Sequence, residues 1–362
     1  MRRTDPLLPR ALQEPETVSG LHARGWERLI AEARGTGLIG RLQARLADAG
    51  QLERVPEGPR RHLDAAARVA ASHQASAERE IRRVLAALQP LGEPVIFLKG
   101  AAYLVAGHPV ARGRMFSDID ILMPREMLAR VESELMVAGW VATHLDRHDQ
   151  RYYRSWMHEL PPLEHLSRGT TVDVHHTLYP VTGRLALPIG PVIEAAEPVP
   201  DWPGAKVLAP ADQVLHSAVH LLWEGEFDHG LRDLSDIDML LRHAGARAAF
   251  WEELPQRAAQ LHLQRPLYYA LRYARRLLGT PVPPEVVTAL QAHAPGPPVR
   301  RLMDALFGRV LAPPDLDDRG QALARQLLFL RGHWLKMPLH LLVYHLGHKA
   351  LFPPREAAGA RG

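Results

Sequence analysis

The sequence contains no cysteine among its 362 residues. This absence excludes disulfide bonds, metal sites built on thiolates and a cysteine nucleophile. Any chemistry that the chain performs must therefore come from carboxylates, histidines, hydroxyl groups and basic side chains.

Neither sign of charge dominates the chain. It has 44 Lys and Arg against 40 Asp and Glu, for a net charge of +4, and no long run of one sign. This balance permits nucleic-acid binding but gives no strong signal for it. Lysine is scarce, because the basic residues include only Lys99, Lys206, Lys336 and Lys349. A specific role is therefore expected for Lys99, which lies in the motif described below.

Long apolar segments are also missing. Met1-Arg2-Arg3 is not followed by an apolar core of about 7–15 residues, so no secretory signal is predicted and a cytoplasmic location is expected. Residues 333–352 have the length of a membrane span, but they include Lys336, Lys349, Pro338 and four histidines. This composition predicts a packed terminal helix and no membrane association.

The patterning of the chain predicts an α+β fold in four parts. Residues 1–90 have helical periodicity, and residues 91–180 have the short apolar runs of a compact unit of strands and helices. Residues 181–210 are rich in Pro and Gly and predict a connector with one small hairpin at DWPGAKV. Residues 211–362 predict a helical bundle. At this length two or three structural units are expected, because a single core stops growing at about 250–300 residues.

The unit at 91–180 has several candidate strands and one clear helix. The helix is predicted at REMLARVESELMVAGW. Strands are predicted at PVIFLKG, FSDIDILMP, WVATH, ELPPLEHLS and TTVDVHHTL.

The motif Ser-Asp-Ile-Asp occurs twice, at 117–120 and at 235–238. On a strand, residues two apart share a face, so Asp118 and Asp120 would direct both carboxylates to one point and form a platform for divalent metal ions. On a helix the same spacing turns by about 200°, so Asp236 and Asp238 would diverge. For the second copy we expect ion pairs four residues apart on an exposed face, Arg232 with Asp236 and Asp238 with Arg242.

The first copy lies among other groups that suit a phosphate ligand. Lys99-Gly100-Ala101 falls where a strand gives way to a helix, where backbone N–H groups hold phosphate oxygens and a glycine permits close approach. Arg114 precedes the Asp-x-Asp strand by four residues. Asp173 lies on a candidate strand that would pair beside it, with His175 on the same face.

In these motifs the chain resembles the uncharacterised nucleotidyltransferase family of the DNA polymerase beta-type nucleotidyltransferase superfamily. LKGAA, RMFSDIDILM and VDVHH follow one another in the order of that family, and the resemblance extends over roughly residues 80–245. The chain departs from the wider superfamily at its glycine-serine pair, which is Gly100-Ala101 here. No serine hydroxyl is therefore available to a triphosphate at that position.

The resemblance implies a small mixed-sheet nucleotidyltransferase core, flanked by the N-terminal helices and the C-terminal bundle. It implies metal-dependent transfer of an NMP group from an NTP, with ATP expected, to a hydroxyl of an unknown acceptor, with release of pyrophosphate. Asp118, Asp120 and Asp173 would be catalytic and would bind two Mg²⁺ ions, or Mn²⁺ in their place. The resemblance assigns nucleotide binding to Lys99, Gly100, Ala101, Arg114, Ser117 and His175. The acceptor stays open among small molecules, proteins and RNA.

Three alternatives remain at this stage. His175 could contact the nucleotide or acceptor, or it could only position its strand. A catalytically vestigial protein of the same fold could serve as a binding or regulatory partner, and it would lack metal-dependent affinity for nucleotides. A histidine metalloprotein could use His216 and His220, which are four residues apart, but the apolar residues around them favour burial in the core.

Overall fold

The protein is described by a computed structural model, which covers residues 5–143, 150, 152–315 and 318–342. The predicted α+β class is confirmed: helices flank a single seven-stranded mixed sheet in this part of the chain.

Four α-helices precede the sheet. The longest, α4, runs through the Ala-rich segment, where strong helix formers predominate, and ends before Pro90, which has no N–H to continue it. It packs against α3 and against two helices of the core, α5 and α6. The bounds are α1 Leu7–Gln13, α2 Ala23–Gly35, α3 Ile39–Asp48, α4 Glu57–Leu88, α5 Lys99–Val105 and α6 Leu128–Val137.

The five predicted strands are confirmed, and two further strands extend the sheet. The strands lie in the order β3-β4-β5-β2-β1-β7-β6. The pairs β2/β5 and β1/β7 are parallel and the others are antiparallel. The bounds are β1 Val95–Phe97, β2 Asp118–Leu122, β3 Trp140–Ala142, β4 Leu163–His165, β5 Thr171–His175, β6 Glu197–Pro198 and β7 Ala205–Val207.

The segment at 181–210, predicted as a connector, contributes more than a linker. Its predicted hairpin exists as β6 and β7, and β7 pairs in parallel with β1. This addition to the sheet was not predicted, because a three-residue strand next to a Pro-Gly turn gives almost no pattern in the sequence.

Helices dominate the described residues after β7, as predicted. Helix α8 is apolar on nearly every side because it lies at the centre, packed against α9, α10 and α11. One cluster of buried apolar side chains runs from the N-terminal helices through the sheet into this part. The bounds are α7 Gly190–Glu194, α8 Pro210–Trp223, α9 Gly230–Ala244, α10 Ala248–Gln260, α11 Gln264–Leu278, α12 Pro284–Leu290, α13 Pro297–Val310 and α14 Arg319–Lys336.

None of the helices in the described part is long and apolar enough to cross a membrane. Of the stretch 333–352, predicted as one terminal helix, residues 333–336 form the end of α14. The helix is interrupted at Met337-Pro338 and resumes at residues 339–342, and positions 343–352 lie outside the described residues.

Candidate active site

Three carboxylates meet on two adjacent parallel strands. Alternation along β2 buries Ile119 and Ile121 and places Asp118 and Asp120 on the opposite face, as predicted. In the parallel pairing of β2 with β5, Asp120 lies opposite Asp173. Carboxylate oxygens of Asp118, Asp120 and Asp173 lie within 4.8 Å of one another. This donor set is one that Mg²⁺ prefers.

Asp173 is the carboxylate whose ionisation costs most in this cluster. Burial, together with the charges of Asp120 and Glu159, raises the pKa of Asp173 to about 7. Its Oδ1 is buried and has no hydrogen-bond partner among the described residues. An unpaired carboxylate oxygen among like charges is a position where a cation would be stabilised, so the residues present fit a divalent metal ion.

We expect the stability of the metal-free protein to report on Asp173. Because folding raises the pKa of this group, the folded state binds its proton more tightly, and the unfolding free energy falls as the pH rises from about 4 to about 7. Asp173→Asn removes this cost. In EDTA its melting temperature should exceed that of the wild type by a few degrees at pH 8, and the difference should narrow at pH 5. A constant difference at both pH values would contradict the raised pKa.

Asp120 is the buried member of the cluster and is held by Lys99 and His175. Its Oδ1 accepts hydrogen bonds from Lys99 Nζ at 2.9 Å and from His175 Nε2 at 3.1 Å. Burial alone would raise the pKa of Asp120, but Lys99 and His175 hold it well below the usual value. Both partners bind Oδ1, so Oδ2 is the oxygen left for a metal ion shared with the other two aspartates.

Lys99 therefore lies beside the carboxylates, at the first position of α5. Its backbone has a φ of 44°, a left-handed conformation that is costly for a residue with a side chain. Burial would lower its pKa, but Asp120 and Glu224 outweigh burial and raise it, so the ammonium stays charged. The scarce lysine is thus placed in the predicted site.

Gly100 lies beside Arg114, and its role in phosphate binding stays a prediction. A side chain here would collide with the Arg114 guanidinium, since an added Cβ would lie 2.5 Å from Nη1. The glycine makes room for Arg114, and this arginine is the group that could contact a phosphate. Ala101 is buried in the core at 2% exposure. Ser117 is exposed and donates to Asp118 Oδ1 at 2.8 Å.

Asp236 of the second motif belongs to the site, and the prediction that it pairs with Arg232 on an exposed face is wrong. Asp236 is 4% exposed and forms ion pairs with Arg41 at 2.7 Å and with Arg114 at 3.1 Å. Burial would raise its pKa, but the two arginines lower it. Arg232 instead contacts Asp233 at 2.9 Å. Asp236 therefore joins α3 to α9 and holds Arg114 in place.

The predicted pair of Asp238 with Arg242 is confirmed at 2.8 Å, four residues apart on α9. Asp238 also accepts from Thr280 Oγ1 at 2.6 Å. Its carboxylate lies outside the site.

The two aspartates of this motif should consequently differ in variants. Asp236→Asn leaves two buried guanidinium groups without a counter-charge, which should cost about 3–5 kcal/mol of stability. Asp238→Asn keeps hydrogen-bonding atoms on a partly exposed pair and should cost about 1 kcal/mol or less. Urea denaturation of both variants measures the difference. Equal midpoints would mean that the Arg41–Asp236–Arg114 network does not stabilise the fold.

A cavity of about 180 Å³ opens over Asp118 and Asp120, between the sheet and the helices α8 and α9. Its walls combine cationic or titratable groups with two further aspartates: Lys99, Arg114, His220, Arg232, Asp233 and Asp236. Cationic groups beside a carboxylate cluster are what a metal-bound polyphosphate requires.

The two histidines on α8, His216 and His220, have different surroundings. His216 is buried at 3% exposure, as predicted, whereas His220 lines the cavity. Neither belongs to a group of three potential metal ligands among the described residues. His175 is 1% exposed and lies behind Asp120. It therefore contacts the Asp120 carboxylate and does not line the cavity.

Sequence reasoning did not identify Arg41, His158, Glu159 or Glu224. Glu159 lies opposite His175 in an isolated bridge at the end of β5. Nothing in the local sequence around these four residues marks them, because most of their partners are distant in sequence.

Comparison with known proteins agrees with this geometry. The family described as uncharacterised nucleotidyltransferase matches residues 22–279, a span that includes the N-terminal helices from α2 onward, the whole sheet and α8 to α11. Neither the curated proteins nor the solved structures that were compared with the chain gave a match. The family match covers more than half of the chain and includes every residue of the candidate site, so the chain belongs to this family of uncharacterised nucleotidyltransferases.

Proposed function

We propose that the protein transfers an NMP group from an NTP, with ATP the expected nucleotide, to a hydroxyl of an acceptor. The observation that carries this proposal is the group of three carboxylates on β2 and β5, whose oxygens lie within 4.8 Å of one another, and two of which line a cavity together with Lys99 and Arg114. The family match supports the same class of reaction.

In this reaction the acceptor oxygen attacks the α-phosphorus, the bond between the α-phosphorus and the bridging oxygen breaks, and pyrophosphate leaves. Asp173 is proposed to accept the proton of the hydroxyl, since its carboxylate lies beside Asp118 and Asp120 and its Oδ1 has no hydrogen-bond partner among the described residues. Lys99 and Arg114 are proposed to neutralise the charge of the triphosphate and of the leaving pyrophosphate.

Asp118, Asp120 and Asp173 are the residues that would hold two Mg²⁺ ions, or Mn²⁺. When bound, such ions stabilise the developing charge on the phosphoryl oxygens and activate the attacking hydroxyl. The protein's own contribution is to fix the carboxylates. Asp120 is fixed by Lys99 and His175, and Asp118 by Ser117. We therefore assign His175 to positioning Asp120.

A second cavity, of about 210 Å³, shares Ser117 and Asp118 with the first. It lies between α4 and the edge of β2 and β5, and its walls include Ser72, His73, Ser76, Phe116 and Thr171. Hydroxyl and ring groups of this kind suit a nucleoside or a small polar acceptor. Because Asp118 lines both cavities, one cavity could hold the polyphosphate and the other the nucleoside or the acceptor.

The test is incubation of the purified protein with each α-³²P-labelled NTP, Mg²⁺ and host-cell extract, followed by separation of small molecules, RNA and protein. We expect one pool to gain label, and we expect the label to be absent when a γ-labelled NTP replaces the α-labelled one. Isothermal titration with each NTP supplies the second readout, with Mg²⁺ and with EDTA.

Two results would overturn the proposal. Nucleotide affinity that does not depend on metal, without labelling of any pool, would identify the vestigial binding protein as the better description. Transfer of label from the γ-position would mean phosphoryl transfer instead of nucleotidyl transfer.

A further inference from the structure

A second group of potential metal ligands lies behind the three aspartates. It comprises His158, Glu159 and His175, whose ligand atoms lie within 4.8 Å of one another. The backbone brings them together: residues 158–160 run antiparallel to the end of β5, where Leu160 N donates to Val174 O and His176 N donates to His158 O. His158 and Glu159 belong to no predicted site, whereas His175 also contacts Asp120 of the carboxylate cluster.

The distances in this group are wrong for hydrogen bonds and right for a shared ion. His175 Nδ1 lies 3.5 Å from Glu159 Oε2, and His158 Nε2 lies 3.7 Å from the same oxygen. Ligand atoms around a tetrahedral Zn²⁺ with bonds of about 2.0–2.1 Å are separated by about 3.3 Å. The three side chains therefore surround a position where one metal ion could be bound by all of them after a small adjustment.

A buried imidazole nitrogen without a partner costs free energy, which a bound metal ion would offset. His175 is 1% exposed, and its Nδ1 faces Glu159 at 3.5 Å but has no hydrogen-bond partner in the described part of the chain. His158 is also buried, and burial lowers its pKa well below the usual value, which keeps the ring neutral. A neutral imidazole is the form that binds a metal ion.

A further carboxylate lies beside the cluster. Glu224 Oε1 is 3.9 Å from His158 Nε2, and Glu224 remains ionised because neighbouring cationic groups hold its pKa at about 2 against the effect of burial. It could supply a fourth ligand. Two imidazoles with one or two carboxylates, and no thiolate, form a set that suits Zn²⁺.

We infer that His158, Glu159 and His175, with Glu224 beside them, bind one Zn²⁺ ion at a structural site distinct from the aspartate cluster. A metal ion on His175 Nδ1 leaves the proton on Nε2, which donates to Asp120 Oδ1. Histidines that ligate metal ions commonly donate their second ring N–H to a carboxylate in this way. The metal ion would thereby fix the orientation of Asp120 through His175.

The inference is tested with the full-length protein by loading it with ZnCl₂, dialysing it against excess Mg²⁺ and measuring zinc by mass spectrometry. We expect one zinc per chain in the wild type. His158→Gln should lower zinc affinity at least tenfold. His176→Gln is the matched control, because His176 is an adjacent buried histidine outside the cluster, and this variant should retain zinc. Circular dichroism establishes that each variant is folded.

Asp118→Ala separates this site from the aspartate cluster and should also retain one zinc per chain. Replacement by CoCl₂ gives a readout that is independent of activity, since four-coordinate cobalt with nitrogen and oxygen ligands absorbs strongly in the visible range. We expect that absorption in the wild type and in Asp118→Ala and its loss in His158→Gln. The inference is overturned if the wild type retains no zinc, if His158→Gln binds it undiminished, or if zinc is lost with Asp118.

Discussion

Asp118→Ala should reduce nucleotidyl transfer by about 10³-fold or more and should abolish metal-dependent binding of NTP, without loss of the fold. Asp118 is exposed, and its one described hydrogen bond is with the neighbouring Ser117. Removing it also relieves repulsion among three carboxylates. The melting temperature in EDTA should therefore hold or rise. The measurement is single-turnover transfer together with isothermal titration of Mg²⁺-NTP.

Asp201→Ala is a suitable control for this variant, because Asp201 is an exposed aspartate in the turn between β6 and β7. It should leave transfer unchanged. Full transfer by Asp118→Ala would end the proposed mechanism.

Asp120 is a poorer probe than Asp118. Asp120→Ala leaves the partly buried Lys99 and the buried His175 without their shared carboxylate, at a cost of about 3–5 kcal/mol, so loss of activity would be mixed with loss of the fold. Asp120→Asn keeps an oxygen that accepts from both partners. This variant should fold and still lose transfer.

Asp173→Asn should separate binding from chemistry. If Asp173 serves the attacking hydroxyl and contributes little to the ion that accompanies the nucleotide, the dissociation constant for Mg²⁺-NTP should change by no more than about threefold. The single-turnover rate should fall by about 10³-fold, because the lost interaction belongs to the transition state. Asn has nearly the same shape as Asp, so packing on β5 is preserved.

The comparison with Asp118→Ala makes this prediction decisive. Asp118→Ala should lose affinity and rate together, whereas Asp173→Asn should lose rate. Equal loss of nucleotide affinity in both variants would make Asp173 an ordinary metal ligand, and the proposed division of roles between the strands would be withdrawn.

The sequence by itself determined which side chains share the face of the sheet that carries the aspartates. Alternation in FSDIDILMP requires Asp118 and Asp120 to share a face once their isoleucines are buried, and this rule depends only on local backbone geometry. The same reasoning placed Asp173 and His175 on one face of the next candidate strand. The order LKG, Arg114 and Asp-x-Asp then indicated the family, which the match over residues 22–279 establishes.

The tertiary structure alone decided which charged groups pair with one another. Local spacing predicted that Asp236 would pair with Arg232, four residues away, but the buried partners are Arg41 from α3 and Arg114 from the loop before β2. Likewise, His175 was placed on its face correctly, yet its contacts with Asp120 and Glu159 depend on how two chain segments pass each other. A buried charge requires a counter-charge wherever the fold can supply one, and the position of that group depends on packing between elements distant in sequence.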